Sequence, residues 1–139
     1  MVTLEAFYDP GPGSGFVLST PDQVDELLDR MVSESAEESV GLMAQVGRKE
    51  GDGWSSALQF GVRAAKCGFV GYMGSKGEAS AISDNGATSP EMIAYDYQLH
   101  EREVPSNAEV SLTAVRQAVH DYVASGGARP AGVPWREVE

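Results

Sequence analysis

The chain has 139 residues, 42% hydrophobic and 22% charged, the proportions of a folded globular protein rather than a disordered one. Its formal net charge of -11 repels phosphates and argues against nucleic acid as a direct ligand. The single cysteine, Cys67, excludes an internal disulfide, and no apolar run approaches the ~18 residues of a membrane span.

At this length one domain, residues 1–139, is expected. Met1 to Asp9 lacks the basic start and apolar run of a secretion signal, so a cytoplasmic location is expected.

Val2 to Tyr8 alternates with Val2, Leu4, Ala6 and Tyr8 on one side, which predicts a half-buried strand. Asp9 to Gly15 holds two prolines and three glycines and no Gly-Lys-Ser/Thr follows, so it reads as a turn rather than a phosphate cradle. Phe16 to Ser19 is the expected return strand. Thr20-Pro21-Asp22-Gln23 then opens a helix, with Thr20 as cap, Pro21 in the first turn and Gln23 closing a capping box. Val24, Leu27, Leu28 and Met31 recur at helical spacing, and the helix should fade near Ser33 to Ser35.

The middle of the chain reads as a meander. Val40 to Arg48 places Val40, Leu42, Ala44 and Val46 on one face, and Gly51-Asp52-Gly53 turns the chain. Trp54 to Val62 lines up Trp54, Leu58, Phe60 and Val62, with Ser56 among them. Gly68 to Met73 is a further strand, Gly74 to Gly77 a turn and Glu78 to Ser83 a short strand. Asp84-Asn85-Gly86 is a tight-turn signal. Met92 to Leu99 follows, with Ile93, Tyr95, Tyr97 and Leu99 facing in and Met92, Ala94, Asp96 and Gln98 facing out. Ser111 starts a second helix carrying Leu112, Val115, Val119, Tyr122 and Val123, which Gly126-Gly127 ends. The tail, Val133 to Val138, adds an edge strand or packs Trp135 on the core. The order of elements predicts an α+β fold, an antiparallel meander sheet with two helices on one face.

Catalytic machinery is scarce. His100 and His120 lack a second histidine at metal-ligand spacing, and Cys67 is the one thiol, so no familiar zinc set can be assembled and no cofactor is expected. Cys67 reads as a buried thiol within its strand rather than a nucleophile paired with histidine. No serine sits in a Gly-x-Ser-x-Gly elbow. Acids are the conspicuous chemistry. Seven fall between Asp22 and Glu38 against one base, Arg30, and form either a solvated helix face or a patch that steers a basic partner. With Ile93, Tyr95 and Tyr97 facing in, Asp96 and Gln98 face out, and Asp84, Glu91, Glu101 and Glu103 form a negative rim. These six are the candidate binding residues, with simple solubility as the alternative reading of the rim.

The run from Glu103-Val104-Pro105 through the second helix to Gly126-Gly127-Ala128-Arg129-Pro130 and Val133-Pro134-Trp135 resembles the Imm1 (DddI-like) family of bacterial immunity proteins. Gly68-Phe69-Val70-Gly71-Tyr72, the Asp84-Asn85-Gly86 turn and the helix after Thr20-Pro21 share the resemblance. It consists of packing and turn residues, none of them catalytic. What it implies is a non-enzymatic protein that neutralises a cognate polymorphic toxin by contact. Such toxins are often nucleic-acid deaminases, including cytosine deaminases, whose basic substrate surface an acidic inhibitor would cover or whose zinc-containing active site it would plug. The alternative is a small-ligand-binding or regulatory domain.

Overall fold

The computed structural model describes residues 3–8, 15–50, 53–64, 66–74, 80–88, 91–98 and 100–138. The expected turns at 9–14, 51–52 and 75–77, the strand start at Glu78 and the side chain of Leu99 lie outside them. The described elements are β1 (Thr3–Phe7), β2 (Phe16–Val17), α1 (Pro21–Glu38), β3 (Gly41–Glu50), β4 (Gly53–Arg63) and β5 (Cys67–Met73). There follow β6 (Ser80–Ser83), β7 (Met92–Tyr97), β8 (His100–Pro105), a 3-10 turn (Ser106–Ala108), α2 (Leu112–Ala124) and β9 (Trp135–Val138).

The sheet runs β2-β1-β3-β4-β5-β6-β9 through antiparallel pairs, with the meander β3 to β6 at its centre. Hairpin β7–β8 leaves this path. β7 joins β3 in parallel through Gly41↔Tyr95 and Leu42↔Asp96, just before the stretch of β3 that pairs with β1. The fold is therefore α+β, as expected, with this parallel contact added.

Alternation decides the layers. Leu42, Ala44 and Val46 of β3, with Leu58, Phe60 and Val62 of β4, face Val24, Leu27, Leu28 and Met31 of α1 and Val115, Val119 and Tyr122 of α2. Both helices thus cover one sheet face. On the opposite face Met43, Phe69, Tyr95, Val104 and Ala108 form a second, smaller cluster where the hairpin folds over the sheet.

Helix α1 begins as its sequence dictates. Gln23 N donates to Thr20 Oγ1 at 3.2 Å, and Thr20 N donates to Gln23 Oε1 at 3.1 Å. Its end differs from expectation, because the helix passes Ser33 to Ser35 and closes only at Ser39, in the left-handed conformation with φ 58°. The reason is a buried tie. Ser35 Oγ donates to Val40 O and accepts Ala64 N at 2.8 Å, locking the last turn to the start of β3 and the end of β4.

Trp54 also departs from expectation. The register runs Arg48↔Ser56 and then Lys49↔Trp54, so Ser55 is an extra residue in β4. Such a bulge reverses side-chain phase. Ser56 is buried against Tyr122, at 2.8 Å from its hydroxyl, whereas Trp54 is 51% exposed on the other face and meets Phe7 edge-on at 5.8 Å. The turn at Asp84 to Ala87 exists, with Gly86 N bonded to Asp84 Oδ1 and Ala87 N to Asn85 Oδ1. It joins no hairpin, since β6 pairs with β5 and β9. Trp135 both enters edge strand β9 and packs against the core, donating Nε1–H to Pro130 O at 2.7 Å.

Gly41 and Gly61 make the slot for Tyr95. A Cβ at either would lie under 3 Å from the Tyr95 ring. Gly61→Val should cost ~1–3 kcal/mol through overpacking, measured by urea unfolding, with loss of hydrogen-exchange protection concentrated in β7 and β8.

Candidate interaction site

The β7–β8 ladder sets which residues share a face. Asp96 stands opposite Glu101, and Ala94 opposite Glu103, while Tyr95 stands opposite Arg102 and Ile93 opposite Val104. Because Tyr95 and Val104 are buried against the sheet, Met92, Ala94, Asp96, Glu101 and Glu103 form the outward face. Met92 is 56% exposed there. Like charges directly opposite one another destabilise a ladder, so Asp96 and Glu101 concentrate negative potential at some cost in stability.

Of the six residues singled out from the sequence, the structure thus brings Asp96, Glu101 and Glu103 together. Gln98 lies beside them in the hairpin turn, held at φ 51°. Glu91 precedes β7, its main chain bonded twice to Ser106. Asp84 sits apart. Its carboxylate caps the Asx turn and lies 3.9 Å from Arg136 of β9, and its N–H donates to Pro134 O.

What fixes the hairpin is a polar cluster that sequence reading missed. Glu109 accepts from Arg63 Nε and Nη2 at 2.9 and 3.0 Å, from Tyr95 Oη at 2.8 Å and from Cys67 Sγ at 3.4 Å. The Glu109 side chain is 10% exposed. Burial alone would raise its pKa, but the hydrogen bonds from Arg63, Tyr95 and Cys67 outweigh that and hold it below the usual range. Burial and the adjoining carboxylate push the Tyr95 phenol and the Cys67 thiol upward. Cys67 is half-buried at the start of β5, rather than buried within it as expected. A protonated thiol beside a carboxylate already engaged by Arg63 is a poor nucleophile.

Helix α1 spends part of its acidity internally. Arg116 bridges Asp25 and Asp29 at 2.8 Å each, and His120 Nε2 lies 2.8 Å from Asp25 Oδ1. The hydrogen bonds of His120 and then Arg116 lower the Asp25 pKa. Glu34 takes the Tyr8 hydroxyl at 2.6 Å and Arg30 Nε at 2.9 Å, and the Arg30 guanidinium lies over the Tyr8 ring. Asp22, Glu26, Glu37 and Glu38 remain exposed. Among the described residues, no three of His, Cys, Asp and Glu are grouped to hold a metal ion, and no helix is long and apolar enough to cross a membrane.

The family model for immunity protein Imm1 matches residues 13–137. This chain belongs to the Imm1 family of immunity proteins. No curated protein matches it. Imm1 membership implies toxin immunity through binding a cognate toxin, a role carried by surface rather than by catalysis. The Imm1 match spans both helices, the hairpin and the Glu109 cluster.

Tyr95→Phe should lower stability by roughly 1–3 kcal/mol, the range for a lost hydrogen bond to a charged group, as read by chemical denaturation. Glu109 has a lowered pKa in the folded state, so its stabilisation is present above the unfolded value of 4.5 and is lost as pH falls below it. In Glu109→Gln the acid limb of the stability profile should flatten. Cys67 should react slowly with a disulfide reagent at pH 8 in the native protein and several-fold faster in Glu109→Gln, where Arg63 remains and the carboxylate charge is gone.

Proposed function

We propose that this protein neutralises a toxin that acts on nucleic acid, a cytosine deaminase being the favoured chemistry, by laying the acidic face of β7–β8 across the toxin's basic substrate surface. The observation that carries this is the clustering of Asp96, Glu101 and Glu103 on one outward face beside the exposed Met92. A toxin that holds a polyanion needs a cationic surface, and an inhibitor presenting carboxylates there competes with the phosphates directly. Charge complementarity speeds encounter, and the apolar Met92 supplies contact area once the partners meet. Gln98 and Glu91 border the face, while Asp84, tied to Arg136 and Pro134 on the β9 side, stands apart from it. On this reading the protein is not an enzyme. It uses no cofactor, touches no nucleic acid itself, and acts in the cytoplasm, where an incoming toxin would meet its target.

The test is binding and inhibition of the toxin domain encoded beside this protein's gene. The triple variant Asp96→Lys/Glu101→Lys/Glu103→Lys should slow association by ~10–100-fold, and wild-type association should slow as salt rises. An association rate indifferent to both changes sinks the electrostatic reading. A neighbouring toxin without activity on nucleic acid sinks the deaminase assignment.

A further inference from the structure

Hairpin β7–β8 ends in an open edge. Among the described residues β8 pairs with β7 alone, and Glu101, Arg102 and Glu103 are all exposed. The hydrogen-bond phase along this edge is readable. Ser106 N donates to Glu91 O at 2.7 Å, one step beyond the Met92↔Pro105 position. Bonded positions alternate in an antiparallel ladder, so Val104, Arg102 and His100 bond to β7. The main-chain groups of Glu101 and Glu103 therefore point to the open side.

A cleft of about 280 Å³ lies between this edge and the sheet, floored by Gln45, Gln59, Phe69 and Ile82. A second hollow of about 320 Å³ shares Gln59, Phe69 and Ile82 and extends it past Gly71 to Met73. Gln59 Nε2 donates to Gln45 Oε1 at 3.3 Å, so the polar atoms of the floor partly satisfy one another.

Resting on the immunity reading above, we infer that β8 is the acceptor edge for an extended strand of the toxin whose side chains alternate apolar and basic. Side chains of an added strand point by turns to the two faces of the hairpin. One set descends onto Phe69 and Ile82. The other runs alongside Glu101 and Glu103, where cations are complementary. Charged residues on an exposed edge repel indiscriminate pairing. Here the sign of the charge excludes a second copy of this chain, itself at -11, and admits a basic strand.

The probe is a capped synthetic decapeptide of alternating Lys and Val, with a Glu/Val counterpart as control. Binding of the Lys/Val peptide to the full chain should protect the Glu101 and Glu103 amides from hydrogen exchange, and the Glu/Val peptide should not bind. Glu103→Pro removes a donor on the open side and leaves the β7 bonds intact, so it should weaken the peptide by ~10-fold or more. Should that variant fail to fold, Glu101→Lys/Glu103→Lys is measured instead, with preference reversed to the Glu/Val peptide. The inference fails if the two amides are already protected in the free protein. It fails too if Glu103→Pro binds the peptide as tightly as wild type, or if the footprint maps to α1. The two levels separate with the neighbouring toxin domain. Unchanged toxin affinity in Glu103→Pro removes the edge and keeps immunity, whereas a wild-type chain that binds no toxin removes immunity and leaves the peptide footprint to judge the edge.

Discussion

The seating of one tyrosine organises the half of the molecule that carries the β7–β8 hairpin. Tyr95 lies in a slot that exists because Gly41 and Gly61 carry no side chains, and its ring meets Phe69 edge-on at 4.9 Å. Its hydroxyl reaches the Glu109 carboxylate that Arg63 also grips. The apolar contact presses the hairpin down and the hydrogen bond fixes its position. Glu109 is cheap to bury only because four donors surround it, and removing any one leaves charge or dipole uncompensated. The outward carboxylates of the hairpin inherit their placement from this anchor on the inward side.

The charge of the chain is divided by what each acid touches. Asp25, Asp29 and Glu34 are engaged by Arg116, His120, Arg30 and Tyr8, so part of the densest acidic run in the sequence acts as a clasp between α1, α2 and β1. Asp96, Glu101 and Glu103 face outward from a hairpin anchored through Tyr95, and among the described residues no ion pair engages them. A fixed array of charge steers a partner better than a mobile one, because it loses little conformational freedom on binding.

Much of this architecture was legible in the sequence because it rests on local rules. The Thr20–Gln23 capping box, the glycine exit of α2 and the alternation of Ile93, Tyr95 and Tyr97 each follow from a few neighbouring residues. Contacts between distant segments were not legible. Glu109 meets Arg63 across 46 positions and Asp25 meets His120 across 95, and no periodicity marks such pairs. The length of α1 escaped because the tie at Ser35 is formed with Val40 and Ala64, outside the helix itself. The bulge at Ser55 escaped for a different reason. One extra residue leaves the hydrophobic pattern plausible on either side of it and changes only its phase, so Trp54 read as a core residue. At the candidate site, alternation identified the outward set on β7. The register with β8 was needed to show that Glu101 and Glu103 join Asp96 while Asp84 does not.

That same bulge leaves the two indoles of the chain on opposite sides of the sheet. Trp135 is half-buried with the helix-side core, near Tyr72 and hydrogen-bonded to Pro130 O. Trp54 stands in solvent on the side that carries the hairpin. The protein therefore contains two intrinsic fluorophores in unlike surroundings, Trp135 half-buried with the core and Trp54 half-exposed on the far face of the sheet. Contact with that surface would register in the second emission while the first stays constant.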